Sequence, residues 1–178
     1  VGKVMTALEN AGIADRTIVI FTSDHGYHLG EHDFWAKVSL HEESVRVPLI
    51  ISVPGKKPAI CDSFTELLDL YPTLSSLCGL EVPSRLQGKD ISGMLSDPTL
   101  QVRKTAFTVN GRGFLLRDQD WAYIQYAEDA SKGIELFNMH KDPLQYNNLA
   151  GDPKYAKIVA GFKEQLKVKL AAVRNNDL

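Results

Sequence analysis

The sequence predicts the end of an α/β sheet over residues 1–103, followed over 104–178 by a small antiparallel β-meander that packs on a C-terminal helix. Three observations carry this expectation. Two uninterrupted apolar runs, within Thr17–Thr22 and Val47–Val53, read as buried strands. Short aromatic and β-branched runs separated by Gly- and Asp-containing turns fill the stretch after residue 104. One long apolar stripe at helical spacing then closes the chain.

The elements follow in order. Val1, Val4, Met5, Leu8 and Ala11 recur at helical spacing, and Gly12 is a stop signal. After a turn at Asp15-Arg16, the apolar centre of Thr17–Thr22 is expected as a strand buried on both faces of a parallel sheet. Residues 24–46 lack sustained periodicity and read as a long functional loop. Val47–Val53 is the second strand, ended by Pro54-Gly55. Pro72 is tolerated only in a first turn, which makes Asp69 the expected N-cap of a helix. Leu70, Leu74, Leu77 and Cys78 would be its inward stripe, Gly79 its end, and Phe64–Leu68 a short strand before it. Residues 80–103 are turn-rich, with one short helix near Ile91–Leu95.

Thr105–Val109, Phe114–Arg117, Trp121–Tyr126 and Glu135–Asn138 form the expected meander, punctuated at Gly111–Gly113, Asp118–Asp120 and Ser131–Gly133. Asp152-Pro153 places an N-cap ahead of a proline at N1. Tyr155, Ile158, Val159, Phe162, Leu166, Leu170 and Val173 stripe the closing helix.

Composition narrows the function classes. The chain has 178 residues, 44% of them hydrophobic and 24% charged, which suits a packed core and argues against disorder. Twenty basic against 22 acidic residues leave no basic excess for nucleic acid. No apolar run approaches the roughly 18 residues of a bilayer span. The two cysteines, Cys61 and Cys78, are too few for a disulfide framework and are expected as small buried residues. The chain opens Val-Gly-Lys inside an amphipathic pattern, which suggests polypeptide upstream and leaves the compartment unread.

One segment carries chemistry: Ser23-Asp-His-Gly-Tyr-His-Leu-Gly-Glu-His32, then Trp35-Ala-Lys37. It starts at the carboxyl end of an expected sheet strand, where open α/β sheets place ligands. Asp24 and His25 are adjacent, and Gly26 is expected to turn the backbone so that both face one point. A carboxylate and an imidazole are half of a metal site, so further ligands must come from elsewhere. Lys37 reads either as a solvated charge or as an ammonium holding an anionic oxygen.

Taken together, Ser-Asp-His-Gly-x-x-Leu-Gly-Glu-His, Trp-x-Lys and Arg46-Val-Pro-Leu-Ile50 resemble the second active-site segment of the sulfatases, within the alkaline-phosphatase-like superfamily. The iduronate-2-sulfatase-like and choline-sulfatase-like enzymes are the most similar branch. Asp69-Leu-Tyr-Pro-Thr73, Leu86-Gln-Gly-Lys-Asp90, Glu135-Leu-Phe-Asn-Met139, Asp142-Pro143 and Asn147-Asn-Leu-Ala150 resemble later family motifs.

The resemblance implies metal-dependent hydrolysis of a sulfate ester, with an α/β/α sheet domain ahead of the meander. Asp24 and His25 match metal ligands, and Lys37 the lysine that contacts the sulfate. The cation would be calcium, with zinc or manganese as alternatives because imidazole suits a transition metal. The family's formylglycine nucleophile arises from Cys/Ser-x-Pro-x-Arg, which this sequence lacks. It and the remaining metal ligands are expected on an upstream portion, so the chain alone would be inactive.

Tyr27 and His28 reach the alcohol or sugar of a sulfated substrate, or else pack the loop. His32 is expected to order the loop, His41 to lie on the surface and Trp35 to pack. Arg46 pairs with Glu42 or Glu43 or binds substrate. Expected partners are a sulfated small molecule or glycan and the N-terminal portion, or a second copy covering exposed strand edges. Family habit implies export. The alternatives are a phosphodiesterase or phosphonate hydrolase of the superfamily, or a non-catalytic sulfatase-like module.

Overall fold

The computed structural model describes residues 1–174. Helix α1 (Gly2–Asn10) ends at Gly12, whose φ of +63° supplies the left-handed stop. Strand β1 (Val19–Thr22) leads into the long loop, which contains a four-residue helix α2 (Glu42–Val45) before strand β2 (Leu49–Ser52). Helix α3 (Leu70–Leu77) follows. The meander is β3 (Ala106–Asn110), β4 (Gly113–Arg117), β5 (Trp121–Tyr126) and β6 (Ile134–Asn138), and helix α4 (Ala156–Arg174) closes the chain.

The meander is antiparallel in sequential order, with Leu116 opposite Tyr123 and Ala122 opposite Phe137. Side chains alternate between its faces, and each face has its own cover. Leu116, Tyr123 and Leu136 pack on Val159, Phe162, Leu166 and Leu170 of α4. The Tyr123 and Phe162 rings stack at 5.5 Å, and burial pushes the Tyr123 hydroxyl up to about 12. Leu115, Ala122, Ile124 and Phe137 face the other way, against Leu40 of the long loop and Met139. The Asp152 side chain accepts from Lys154 N at 2.9 Å, capping the turn that starts α4, as its proline signature predicts.

Expectations are corrected at β1, at Phe64–Leu68, at Asp69, in α3 and at both cysteines. β1 is not in a parallel sheet: it pairs antiparallel with β2, from Val19 opposite Ser52 to Thr22 opposite Leu49. Nor is it buried on both faces, since Phe21 and its partner Ile50 are 44% and 60% exposed. A continuous apolar run reports affinity for apolar neighbours, not strand direction; direction follows from how the connecting segment returns.

Phe64–Leu68 forms no strand. Leu67–Asp69 is a 3₁₀ turn running straight into α3, with Glu66 and Asp69 in a reciprocal capping box. Asp69 does stand at the start of α3, but its side chain bonds none of that helix's amides.

α3 turns Pro72, Thr73 and Ser75 inward, while Leu74 and Cys78 are exposed and Leu70 and Leu77 are half-buried. Its inner face is held by polar bonds, with Ile91 N donating to Thr73 Oγ1 at 3.0 Å, so hydrophobic spacing picked the wrong side. Both cysteines are exposed free thiols: Cys78 sits at the outer end of α3 and Cys61 in the preceding irregular segment.

Candidate active site

The loop begins where β1 ends. Ser23 Oγ donates to His25 O at 2.7 Å, and His25 N donates to Asp24 Oδ1 at 3.1 Å. The His25 ring places Nδ1 2.7 Å from Gly26 O. A carbonyl only accepts, so Nδ1 carries the proton and Nε2 keeps its lone pair. Nε2 lies 3.7 Å from Asp24 Oδ2, with the two side chains 35% and 85% exposed. The expected pair is therefore assembled at the molecular surface.

Gly26 is needed for a different reason from the one its sequence suggests. Its φ is not positive; instead a Cβ there would lie 1.9 Å from Glu43 O. Gly26 N donates to Ser44 O at 2.8 Å, so the backbone after Asp24 and His25 lies directly on α2.

Beyond Gly26 the chain reverses. Gly30, His32 and Asp33 adopt φ of +125°, +57° and +51°, and His28 N donates to Ala36 O at 2.9 Å. The returning arm thus brings Ala36 and Lys37 alongside the outgoing one. Lys37 is exposed and makes no ion pair among the described residues. Glu31 secures the reversal by accepting from Leu29 N at 2.7 Å, and that bond holds its carboxyl below the usual range.

Tyr27 is 51% exposed, its hydroxyl 3.5 Å from Trp35 O. His28 goes the other way, and the substrate contact considered for it is corrected: it is wholly buried, Nδ1 donates to Glu31 O at 3.2 Å, and its ring packs edge-on to Phe34. A ring with no exposed atom reaches no ligand, so its loop-packing alternative holds. His32, expected to order the loop through hydrogen bonds, instead stacks its ring on His41 at 4.4 Å and Tyr146 at 4.8 Å, and its Nε2 has no hydrogen-bond partner among the described residues. His41 is not on the surface: it also lies 3.1 Å from Glu135 and 3.0 Å from Ser39 Oγ. Trp35 is 69% exposed rather than packed, and Arg46 approaches Glu42 at 3.9 Å.

Sequence reasoning did not find the residues that anchor the loop to the meander. The Glu42 carboxylate accepts from Arg117 Nε at 3.1 Å, Glu42 N donates to Gln145 Oε1 at 2.7 Å, and Asn110 Nδ2 donates to Ser39 O at 3.2 Å. The one available signal was that Gln145 lies between the Asp142-Pro143 and Asn147–Ala150 motifs. The second of these buttresses β6: Asn148 accepts from Leu136 N at 3.0 Å and donates to Ile134 O at 3.1 Å.

Solved structures with this arrangement define the class. The chain superposes with TM-score 0.82 and 30% identity on an enzyme in complex with its substrate D-glucosamine-2-N,6-O-disulfate, covering 99% of this chain and 38% of that one. It superposes with TM-score 0.83 and 28% identity on a phosphonate monoester hydrolase of Agrobacterium radiobacter, covering 96% of this chain and 38% of that one. The fold is that of the C-terminal part of an alkaline-phosphatase-like hydrolase.

The family is narrower. Residues 30–172 match the model for N-sulphoglucosamine sulphohydrolase, C-terminal, and the chain belongs to that family as the C-terminal portion of a sulfatase. Arylsulfatase K of Mus musculus is 33% identical over 180 aligned positions, which cover 93% of this chain and 32% of the relative. The chain thus spans about a third of the length of that curated relative.

The donor pair has the chemistry to share a divalent cation. A carboxylate oxygen and an imidazole nitrogen 3.7 Å apart can share one ion at the roughly 2.0–2.6 Å bond lengths of zinc and calcium. The bond to Gly26 O fixes the ring as outer partners of metal-ligating histidines do. No group of three or more His, Cys, Asp or Glu converges on one point among the described residues, so a metal held by Asp24 and His25 would need further ligands from elsewhere.

Proposed function

We propose that this chain forms one wall of the active site of a metal-dependent sulfuric ester hydrolase, whose formylglycine nucleophile and other metal ligands lie on upstream polypeptide. The observation that carries this reading is the Asp24–His25 pair, held with Nε2 free and facing solvent at the end of β1. In it, residues 1–103 supply the catalytic wall and 104–178 support it.

Asp24 Oδ2 and His25 Nε2 would hold the cation, calcium by family habit and zinc or manganese by the preference of imidazole. Bound there, the cation would supply Lewis-acid stabilisation of the sulfate oxygens. The Lys37 ammonium contacts a sulfate oxygen and offsets charge that builds on the departing alkoxide. Tyr27 presents an exposed ring to the alcohol half. The glucosamine disulfate bound by one structural relative supports a sulfated sugar as that substrate. Such substrates point to an exported enzyme; among the described residues no helix is long and apolar enough to cross a membrane. The half-exposed pair Phe21 and Ile50 is surface for the upstream portion to cover, or a second copy in its absence.

The likeness to phosphonate monoester hydrolases favours a second reading on the same scaffold, hydrolysis of a phosphonate monoester. One experiment separates them: the chain joined to its upstream polypeptide is assayed for sulfate release from sulfated glucosamines and an aryl sulfate, and for turnover of an aryl phosphonate. Sulfate release that EDTA and Asp24→Ala abolish is expected, with none from the 178-residue chain alone. Turnover by that chain alone overturns the divided-site reading, and a higher kcat/KM on the phosphonate shifts the assignment to the second.

A further inference from the structure

Gln145 is an unusual residue in an unusual conformation. It bears a full side chain at φ +59°, a left-handed backbone that such residues adopt at a cost, and it is 2% exposed. Strain kept in a buried residue implies that its side chain is wanted where it lies. Its Oε1 accepts from Glu42 N, the first amide of α2, at 2.7 Å. No side chain of the loop itself caps that helix.

A four-residue helix does not persist by its own hydrogen bonds, so α2 depends on what holds it from outside. Besides the approach of His32 to Glu43 at 3.6 Å and the His41 N bond to Ser39 Oγ at 3.0 Å within the loop, the holds come from the meander side: Gln145 on Glu42 N, Arg117 Nε on the Glu42 carboxylate at 3.1 Å, and Glu135 on the His41 ring at 3.1 Å. On its other side α2 touches the metal pair through backbone alone. Ser44 O accepts from Gly26 N at 2.8 Å, and Gly26 O accepts from His25 Nδ1 at 2.7 Å. The fit at Gly26 leaves no room even for a methyl group, so a displacement of α2 displaces Gly26.

We propose that Gln145 is a positioning residue for the Asp24–His25 metal pair, acting through the cap on α2, the backbone of Gly26 and the orientation of the His25 ring. The proposal rests on the reading of that pair as metal ligands. It gives the segment between the Asp142-Pro143 and Asn147–Ala150 motifs a task beyond propping β6: it sets the aim of a histidine 120 residues earlier in the sequence.

The test uses the chain joined to its upstream polypeptide and ¹⁵N-labelled, Mn²⁺ as the probe, and the variants Gln145→Leu, which cannot accept a hydrogen bond, and Gln145→Glu, which can. Three signals are read: amide exchange at Gly26 and Glu42, the ¹⁵N tautomer signature of His25 with the ring neutral, and the Mn²⁺ concentration that half-broadens the Asp24–Gly26 amides. In Gln145→Leu, exchange rises at least ~10-fold at both amides, His25 loses its single Nδ1–H tautomer, and the Mn²⁺ midpoint rises roughly 10-fold, in line with other outer partners of metal ligands. Gln145→Glu stays near the parent protein in all three.

A folded Gln145→Leu protein with parent-like signals, or a Glu variant that fails to restore them, overturns the proposal. If Gln145→Leu does not fold, Arg117→Met decides in its place, with smaller shifts in the same direction expected and unchanged signals overturning. Absence of Mn²⁺ broadening in the parent protein overturns the metal reading alone, while exchange and tautomer still judge the positioning.

Discussion

Asp69 and Arg103 meet in a bidentate ion pair: Arg103 Nη2 lies 2.6 Å from Asp69 Oδ1, and Nη1 closes the second contact with Oδ2. The carboxylate also accepts from Glu66 N and Lys89 N, both at 2.8 Å. Asp69 is fully buried, so one side chain ties together the turn before α3, the Leu86–Asp90 motif and the segment entering the meander. Gly88 completes the join, because a Cβ there would lie 2.0 Å from Leu68 O. Two motifs that resemble sulfatase signatures are thus parts of one scaffold knot.

Removing the charge of Asp69 leaves the Arg103 side chain, 8% exposed, without its main counter-ion. Breaking a buried pair from one side costs about 3–5 kcal/mol, so Asp69→Asn is expected to lower unfolding free energy by that amount. Urea denaturation followed by far-UV circular dichroism reads it; a loss under ~1 kcal/mol would show that the knot is dispensable.

The same pair sets an acid limit. Burial alone would raise the Asp69 carboxyl, but the bonds from Arg103, Lys89 N and Glu66 N outweigh it and hold the group below the usual carboxylate range. A depressed folded-state pKa contributes stability that is complete above the unfolded value of about 3.9 and is lost as pH falls through the lower folded value. Urea midpoints measured between about pH 7 and 2.5 should therefore show an acid-dependent drop below about pH 4 in the parent protein. That component should be missing from Asp69→Asn; parallel pH profiles would rule it out.

Leu40 fastens the loop between β1 and β2 to the meander. It is 1% exposed, packed with Leu115, Ile124 and Phe137. Leu40→Ala is expected to cost about 2–5 kcal/mol by thermal or urea unfolding, the range for buried large-to-small changes. Amide exchange should quicken across the loop more than at the β4–β5 ladder. Equal quickening everywhere would mean that the loop is no separate unit.

The meander and α4 were legible because their signals are local. Turn residues at Gly111–Gly113 and Asp118–Asp120 separate runs that fit a pleated surface, and Asp152-Pro153 marks a helix start with its own capping chemistry. The proximity of the Asp24 and His25 side chains, 3.7 Å apart, was legible because the two residues are adjacent. What failed depends on distant chain. The direction of β1, the inward face of α3 and the burial of His28 and His41 follow from which segments come to lie against them, as does the Glu42–Gln145 bond across 103 positions. Gly26 was picked out correctly but for the wrong cause, since close approach of another backbone leaves no trace in local sequence.

Gly26→Ala tests that cause. The obstacle to a Cβ is the Glu43 carbonyl, which cannot swing aside as a side chain would. The loop must move, at a cost of about 1–3 kcal/mol. Gly111→Ala is the control: nothing lies within 4 Å of its Cβ position and its φ is not positive. Thermal unfolding should separate the two variants clearly. Equal melting temperatures would mean that the fit of Gly26 on α2 is not tight in solution.

Lys37 provides the sharpest separation of chemistry from folding. Its side chain is exposed and unpaired among the described residues, so Lys37→Ala should leave unfolding free energy within about 0.5 kcal/mol of the parent. On the proposed mechanism, in the enzyme completed by its upstream polypeptide, the same change would remove a cation aimed at charge that grows in the transition state. Loss of one such donor costs on the order of 10²–10³ in kcat, with KM less affected because the ground-state sulfate keeps its other contacts. Lys37→Arg keeps the charge but replaces a compact ammonium with a planar fork, so partial recovery is expected. Steady-state kinetics on an aryl sulfate, run beside thermal unfolding of the three proteins, decides the matter. If kcat stays within about threefold of the parent, Lys37 is a solvated loop charge and the pocket lacks the cationic arm assigned to it.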